Sequence, residues 1–150
     1  MKTILVIHGP NLNLLGKRQP DIYGKSSLKK INESLLKIAK KQKVNLKIVQ
    51  SNHEGQIVDL IGKSPENFDF IIINPAAYTH TSIAIRDAIS ACSIPAIEVH
   101  LSNIYSREEF RQHSLIAGVC KGQIAGFGAI SYELALLAAI KILKQSKVND

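Results

Sequence analysis

The chain has 150 residues, 45% of them hydrophobic, with 9 Gly and 5 Pro, which suits one packed domain over residues 1–150 and excludes low-complexity sequence. No run approaches the roughly 18 apolar residues of a membrane span, and MKTILVIHGP is too short for a signal-peptide core, so neither is expected. The net charge of +7 raises nucleic acid as a partner, but fifteen of the 19 cations are lysines, many between Lys25 and Lys47, with no aromatics interleaved to stack bases.

In chain order, TILVIH (3–8) reads as a strand. GPNLNLLGKRQPDIYG (9–24) follows, a connection far longer than the usual 2–6 residues and too rich in leucine and specific polar groups for a disordered tether. Ser26 or Ser27 caps a helix reaching about Lys43, on which Leu28, Ile31, Leu35, Leu36, Ile38 and Ala39 form the apolar stripe and the lysines the wet face. VNLKIVQS (44–51) alternates as a second strand, and EGQIVDLIGKS (54–64) has helical period. FIIIN (70–74) is a fully apolar strand ended by Pro75, and TSIAIRDAISAC (81–92) opens with a cap-like Thr-Ser. PAIEVHLS (95–102) is the fourth strand, SREEFRQ (106–112) a short polar helix, GQIAGFG (122–128) a glycine-punctuated fifth strand, and SYELALLAAIKILKQ (131–145) the last helix.

Strands alternating with helices predict right-handed βαβ units and a parallel sheet covered on both faces. The expected fold class is α/β, a flavodoxin-like, doubly wound five-stranded sheet in the order 2-1-3-4-5. The last helix is apolar nearly all round, which predicts either unusual burial or, the favoured reading, a subunit interface. Cys92 and Cys120 make no CxxC pair or metal spacing and read as buried free thiols in a reducing cytoplasm.

Ligands of such a sheet bind beyond the carboxyl ends of its strands, at the reversal of strand order. After strand 1 come Asn11, Asn13, Arg18 and Tyr23; after strand 3, Asn74 to His80; strand 4 delivers Glu98, His100 and Ser102 to one face. Three loops thus converge on one crevice. GxGxxG, GxxxxGK[ST], GxSxG and HExxH-like spacings are absent, so nucleotide, serine-nucleophile and zinc chemistry lack their signals.

GPNLNLLGKRQPDIYG, SNHEGQIVDLI, IIINPAAYTHTSIAIRDAI, PAIEVHLSNIYSREEFRQHS and GFGAISYELAL, in this order, resemble type II 3-dehydroquinate dehydratase over nearly the whole chain. The resemblance implies a cytoplasmic lyase on a flavodoxin-like fold, assembled as a dodecamer of trimers. It implies dehydration of 3-dehydroquinate to 3-dehydroshikimate without metal or organic cofactor, in the shikimate pathway of aromatic amino acid biosynthesis or in quinate breakdown. The 9–24 loop corresponds to a mobile lid, with Gly16 and Gly24 as hinge points. By the same resemblance Tyr23 is the base beside Arg18, Asn11 holds a water at the enolate, and His100 protonates the leaving hydroxyl; Glu98, two residues earlier on the same strand face, is placed to orient that imidazole and keep it protonated. Asn74 contacts the substrate near that hydroxyl and the carboxylate, His80 and Arg111 bind ring hydroxyls, and the amides of Leu101 and Ser102 cradle the carboxylate. Asp87 reaches a neighbouring subunit's site, and Arg107 is a lid-side arginine. Arg86 reads as an exposed helix cation.

One departure from the family pattern is NPAAY where many members carry NPGAY. A positive φ at Ala76 would cost about 1 kcal/mol or more, and a compatible backbone is expected. The alternatives are a non-catalytic ligand-binding or assembly module on the same fold, which leaves Arg18, Tyr23 and His100 unexplained, and a flavin or phosphate binder, which lacks its glycine loop.

Overall fold

The computed structural model describes residues 1–17, 19–23 and 25–146, with Tyr23 described by its backbone alone. Strands β1 (Thr3–His8), β2 (Asn45–Gln50), β3 (Phe70–Asn74), β4 (Ala96–His100) and β5 (Gly122–Ala125) make one parallel sheet in the expected order β2-β1-β3-β4-β5. The helices are α1 (Pro20–Tyr23), α2 (Leu28–Gln42), α3 (Glu54–Lys63), α4 (Ile83–Ala91) and α5 (Ile130–Ser146).

The two-residue period of the strands divides the core. Ile4, Val6, Phe70, Ile72, Ile97 and Val99 pack under α2 and α5. Leu5, Ile7, Ile71, Ile73 and Ala96 pack under α3 and α4, against Ile57, Ile61, Ile85 and Ile89. Phe70 to Ile73 need no polar position because both faces of the strand are covered; all five residues of β3, Asn74 included, are buried.

Local chemistry sets the helix ends. Ser27 Oγ accepts from the Lys30 amide at 3.2 Å and starts α2, while Lys43 turns into the left-handed region and ends it. Ile31, Leu35 and Ala39 are buried and the lysines point to solvent, although Leu36, counted with the apolar stripe, is half exposed. Ser82 Oγ accepts from the Ile85 amide at 2.9 Å and caps α4.

Several boundaries differ from expectation. The 9–24 connection contains a 3-10 turn (Leu12–Leu14) and α1, because Leu12 and Leu15 are buried in the α2–α5 core and tie the loop down. The expected polar helix at 106–112 is instead two 3-10 turns, Ile104–Ser106 and Glu109–Arg111, split by extended backbone at Arg107. β5 stops at Ala125, since Gly126 and Gly128 adopt φ +100 and +62 and swing the chain toward α5. Cys92 and Cys120 are free but half-buried; burial, helped by the nearby Glu98 charge, pushes the Cys120 thiol up to about 12.

α5 buries Tyr132, Ala135, Leu136, Ala139, Ile140 and Leu143. Its other side leaves Ile130, Leu134 and Leu137 exposed beside the exposed ring of Phe127. Among the described residues, none covers this face. Among the described residues, no helix is long and apolar enough to cross a membrane.

Candidate active site

The site begins where β1 and β3 end side by side. The Gly9 amide donates to Asn74 O at 2.8 Å, and a β-carbon on Gly9 would lie 2.7 Å from the Pro75 carbonyl. Only glycine permits that approach. Asn11 follows at φ 65, a conformation asparagine tolerates better than most residues, and donates its amide to Asn52 Oδ1 at 3.0 Å.

Across from it, Asn74 Oδ1 accepts the Ala76 amide at 3.0 Å, an Asx-type turn. Ala76 itself has φ 51. The expectation of a backbone compatible with alanine is therefore corrected: the turn demands the left-handed region, and the Asn74 side chain and loop packing hold alanine in it.

Between these loops and the end of β4 opens a cavity of about 220 Å³. Of the expected residues, Asn11, Asn74, His80, His100, Leu101, Ser102, Arg107 and Arg111 line it, over an apolar floor of Leu12, Leu15 and Ile104. Three loops distant in sequence converge as the topology requires.

Glu98 stands behind that wall, fully buried. His100 Nε2 lies 2.9 Å from its Oε2, Ser114 Oγ donates to its Oε1 at 2.6 Å, and Gln123 Nε2 donates to it as well. Burial alone would raise this carboxyl. The bond to His100, the charge of that ring, and the Ser114 and Gln123 bonds outweigh burial and hold it below its usual range. An ionised carboxylate only accepts, so Nε2 of His100 carries a proton toward it and Nδ1 is left for the cavity.

His80 is fixed the same way. Its Nδ1 donates to the His113 carbonyl at 2.8 Å, which leaves Nε2 for a ligand, and its pKa is lowered chiefly by burial. A neutral His80 therefore offers an acceptor. Arg111 is held by Glu108 at 2.7 Å and lies 5.1 Å from the Phe110 ring centre. The site thus pairs a fixed imidazole with guanidinium and amide donors, a constellation fitted to a small anion carrying hydroxyl groups.

Arg18, Gly24 and the Tyr23 side chain lie outside the described residues. Asp87 is exposed on α4 and absent from its own chain's cavity wall. Arg86 is not the exposed cation expected: it is half-buried, and its Nη1 donates to Leu115 O at 2.7 Å, pinning the segment that carries Ser114.

Sequence reasoning missed Ser114, Gln123 and Asn52. Gln123 is Glu98's register partner on β5, so correct strand order with register would have found it. Ser114 and Asn52 sit in loops whose positions no periodicity announces.

Comparison with known proteins follows the same outline. A family model described as "Dehydroquinase class II" matches residues 2–140. The 3-dehydroquinate dehydratase of Trichodesmium erythraeum is 61% identical over 141 residues, 94% of each chain. That of Acaryochloris marina is 59% identical over 142 residues, 95% of each chain. The crystal structure of type II dehydroquinase from Butyrivibrio crossotus superposes with a TM-score of 0.90 at 46% identity, covering 92% of this chain and 97% of that one. Likeness of this extent, in residues and backbone alike, makes the chain a member of the class II dehydroquinase family.

Proposed function

We propose that the protein is a 3-dehydroquinate dehydratase, a lyase that converts 3-dehydroquinate to 3-dehydroshikimate and water through an enolate, in the shikimate pathway or in quinate breakdown. The observation that carries this reading is the His100 imidazole on the cavity wall, its Nε2 tied to the buried Glu98 at 2.9 Å and its Nδ1 left for a ligand.

Tyr23 takes a proton from the carbon beside the ketone, and the C–H electrons form the enolate. A free phenol, with pKa about 10, is ionised only about once in a thousand molecules at neutral pH. A guanidinium held close lowers such a pKa by roughly 1–3 units, and Arg18 suits that part because it stays charged. Both assignments rest on the match of GPNLNLLGKRQPDIYG to the family's lid.

Asn11 and a water it holds stabilise the enolate oxygen. As the enolate collapses, the C–O bond breaks and the departing hydroxyl takes a proton from His100, whose charge Glu98 balances. The proton acquired by Tyr23 returns to solvent and His100 is reprotonated, so the cycle closes with one water released. The Leu101 and Ser102 amides receive the substrate carboxylate, His80 and Arg111 the ring hydroxyls, Asn74 the region of the leaving hydroxyl, and Arg107 the lid side. The net charge of +7 favours approach of the anion.

The same reading includes a cytoplasmic homo-oligomer, a dodecamer built of trimers, with Asp87 completing a neighbour's site. The exposed Phe127, Ile130, Leu134 and Leu137 support an assembly surface. A silent binding module is not favoured, because the buried Glu98–His100 pair is a costly arrangement that mere binding does not require.

The test is an absorbance assay for conjugated enone formed from 3-dehydroquinate. Wild type is expected to be active, and Tyr23→Phe and His100→Ala to fold normally and lose about 10²–10⁴-fold in kcat. An inactive wild type ends the assignment; a fully active Tyr23→Phe removes the base.

A further inference from the structure

Beneath the cavity lies a polar line of which the reaction as described uses only Asn74. His8 and Asn74 are register partners at the ends of β1 and β3. Strand alternation from Val6 and Ile72 turns both toward the α2–α5 side of the sheet. His8 is 0% exposed and Asn74 3%. His8 Nε2 lies 2.8 Å from Asn32 Oδ1 on α2, and its Nδ1 lies 2.8 Å from the Tyr132 hydroxyl in the first turn of α5.

The chemistry of these atoms gives the line one direction. An amide oxygen only accepts, so the ring proton of His8 sits on Nε2. Nδ1 is then a lone pair, and the Tyr132 hydroxyl must donate to it. The Tyr132 oxygen is left as an acceptor for the Asn74 side chain, which bears on the same hydroxyl. The NH₂ of Asn74 is the group free to donate there, because its Oδ1 already accepts the Ala76 amide at 3.0 Å. Burial lowers the His8 pKa to about 4, so the ring is neutral at working pH and the polarity is stable.

We propose that His8 and Tyr132 are positioning residues for the dehydration: their buried hydrogen-bond line, anchored on Asn32, locks the Asn74 amide so that it presents an N–H, not a carbonyl, to the substrate. The inference rests on the reading of Asn74 as a substrate contact near the leaving hydroxyl. An N–H there meets an oxygen that gains negative charge as its bond to carbon breaks. A flipped amide would set a carbonyl against that charge and take away the acceptor that holds the Ala76 turn. Tyr132 touches no substrate; it acts through Asn74.

The experiment is a double-mutant cycle on kcat/KM, with circular dichroism confirming folding. Asn74→Ala is expected to be strongly impaired and Tyr132→Phe to lose about tenfold. In the Asn74→Ala background, Tyr132→Phe should change kcat/KM less than about twofold, since the side chain it orients is gone. His8→Leu should behave like Tyr132→Phe. His8→Asn, whose amide oxygen stands in for Nδ1, should stay within about threefold of wild type.

Equal losses from Tyr132→Phe in both backgrounds, or equal kinetics for His8→Leu and His8→Asn, overturn the inference and leave the contact role of Asn74 standing. Wild-type kcat/KM in Asn74→Ala overturns that contact role, and the inference with it. A purely structural part for Tyr132 would lower the melting temperature yet act equally in both backgrounds. The His8 pair carries the same decision should Tyr132→Phe fail to fold.

Discussion

Ala76 holds φ 51, where its β-carbon costs about 1–2 kcal/mol of strain. Glycine would relieve it, but a more flexible unfolded chain takes back about 0.4–1 kcal/mol. Ala76→Gly is therefore expected to stabilise by about 0.5–1 kcal/mol, raising the melting temperature by about 1–4 °C in a thermal scan. An unchanged or lower value would mean the Asx turn already absorbs the strain. The sequence raised this question through NPAAY, yet its answer is a dihedral angle, which composition does not encode. Glu98 and His100 show the opposite case: two residues apart on a strand, they had to share a face, and the 2.9 Å bond follows.

Among the elements, the crossing of the β1 and β3 loops is the tightest joint of the site. A β-carbon at Gly9 meets Pro75 backbone atoms at 2.7 Å, and backbone does not swing aside as a side chain does. Gly9→Ala should cost at least about 2 kcal/mol by overpacking, read as a lower urea midpoint at unchanged slope. It should also impair activity, since Asn11 and Asn74 flank the joint; full stability would show that the loops part freely. Helix positions were legible because caps and apolar stripes are local signals: Ser27 and Ser82 cap where expected. The 106–112 segment misled because SREEFRQ favours a helix by composition, while the chain there must reach from β4 to the cavity rim with Arg107 extended.

For the whole molecule, pH dependence follows from its buried groups. His8 titrates near 6.5 ordinarily and at about 4 when buried. Below 6.5 the unfolded chain takes up a proton that the folded chain refuses, so stability falls as pH drops toward 4, by roughly 3 kcal/mol from this residue. Glu98, also held below its usual range, adds loss in the same direction as pH falls through its folded pKa. Urea unfolding at pH 7 and 4.5 should show a clear loss in wild type and a smaller one in His8→Asn; equal losses would exclude His8 as the source. The second whole-molecule expectation concerns the α5 face. Under the proposed assembly, Leu134→Lys with Leu137→Glu, both at side chains 40% exposed, should reduce the mass seen by light scattering while leaving the secondary structure unchanged. Unchanged mass would remove this face as an assembly surface.

The sequence by itself determined the sheet order, the helix faces and the cluster of polar residues at the strand ends, because side-chain period, caps and crossover handedness are properties of neighbouring residues and of chirality. Only the tertiary structure decided how Ser114 and Gln123 support Glu98, why Arg86 is drawn inward, that Ala76 is held left-handed, and that His8, Tyr132 and Asn32 stand in line behind Asn74. Those contacts join residues from separate strands, helices and loops, up to 124 positions apart. Their hydrogen bonds are set by how the layers close on one another, and no local pattern along the chain carries that information.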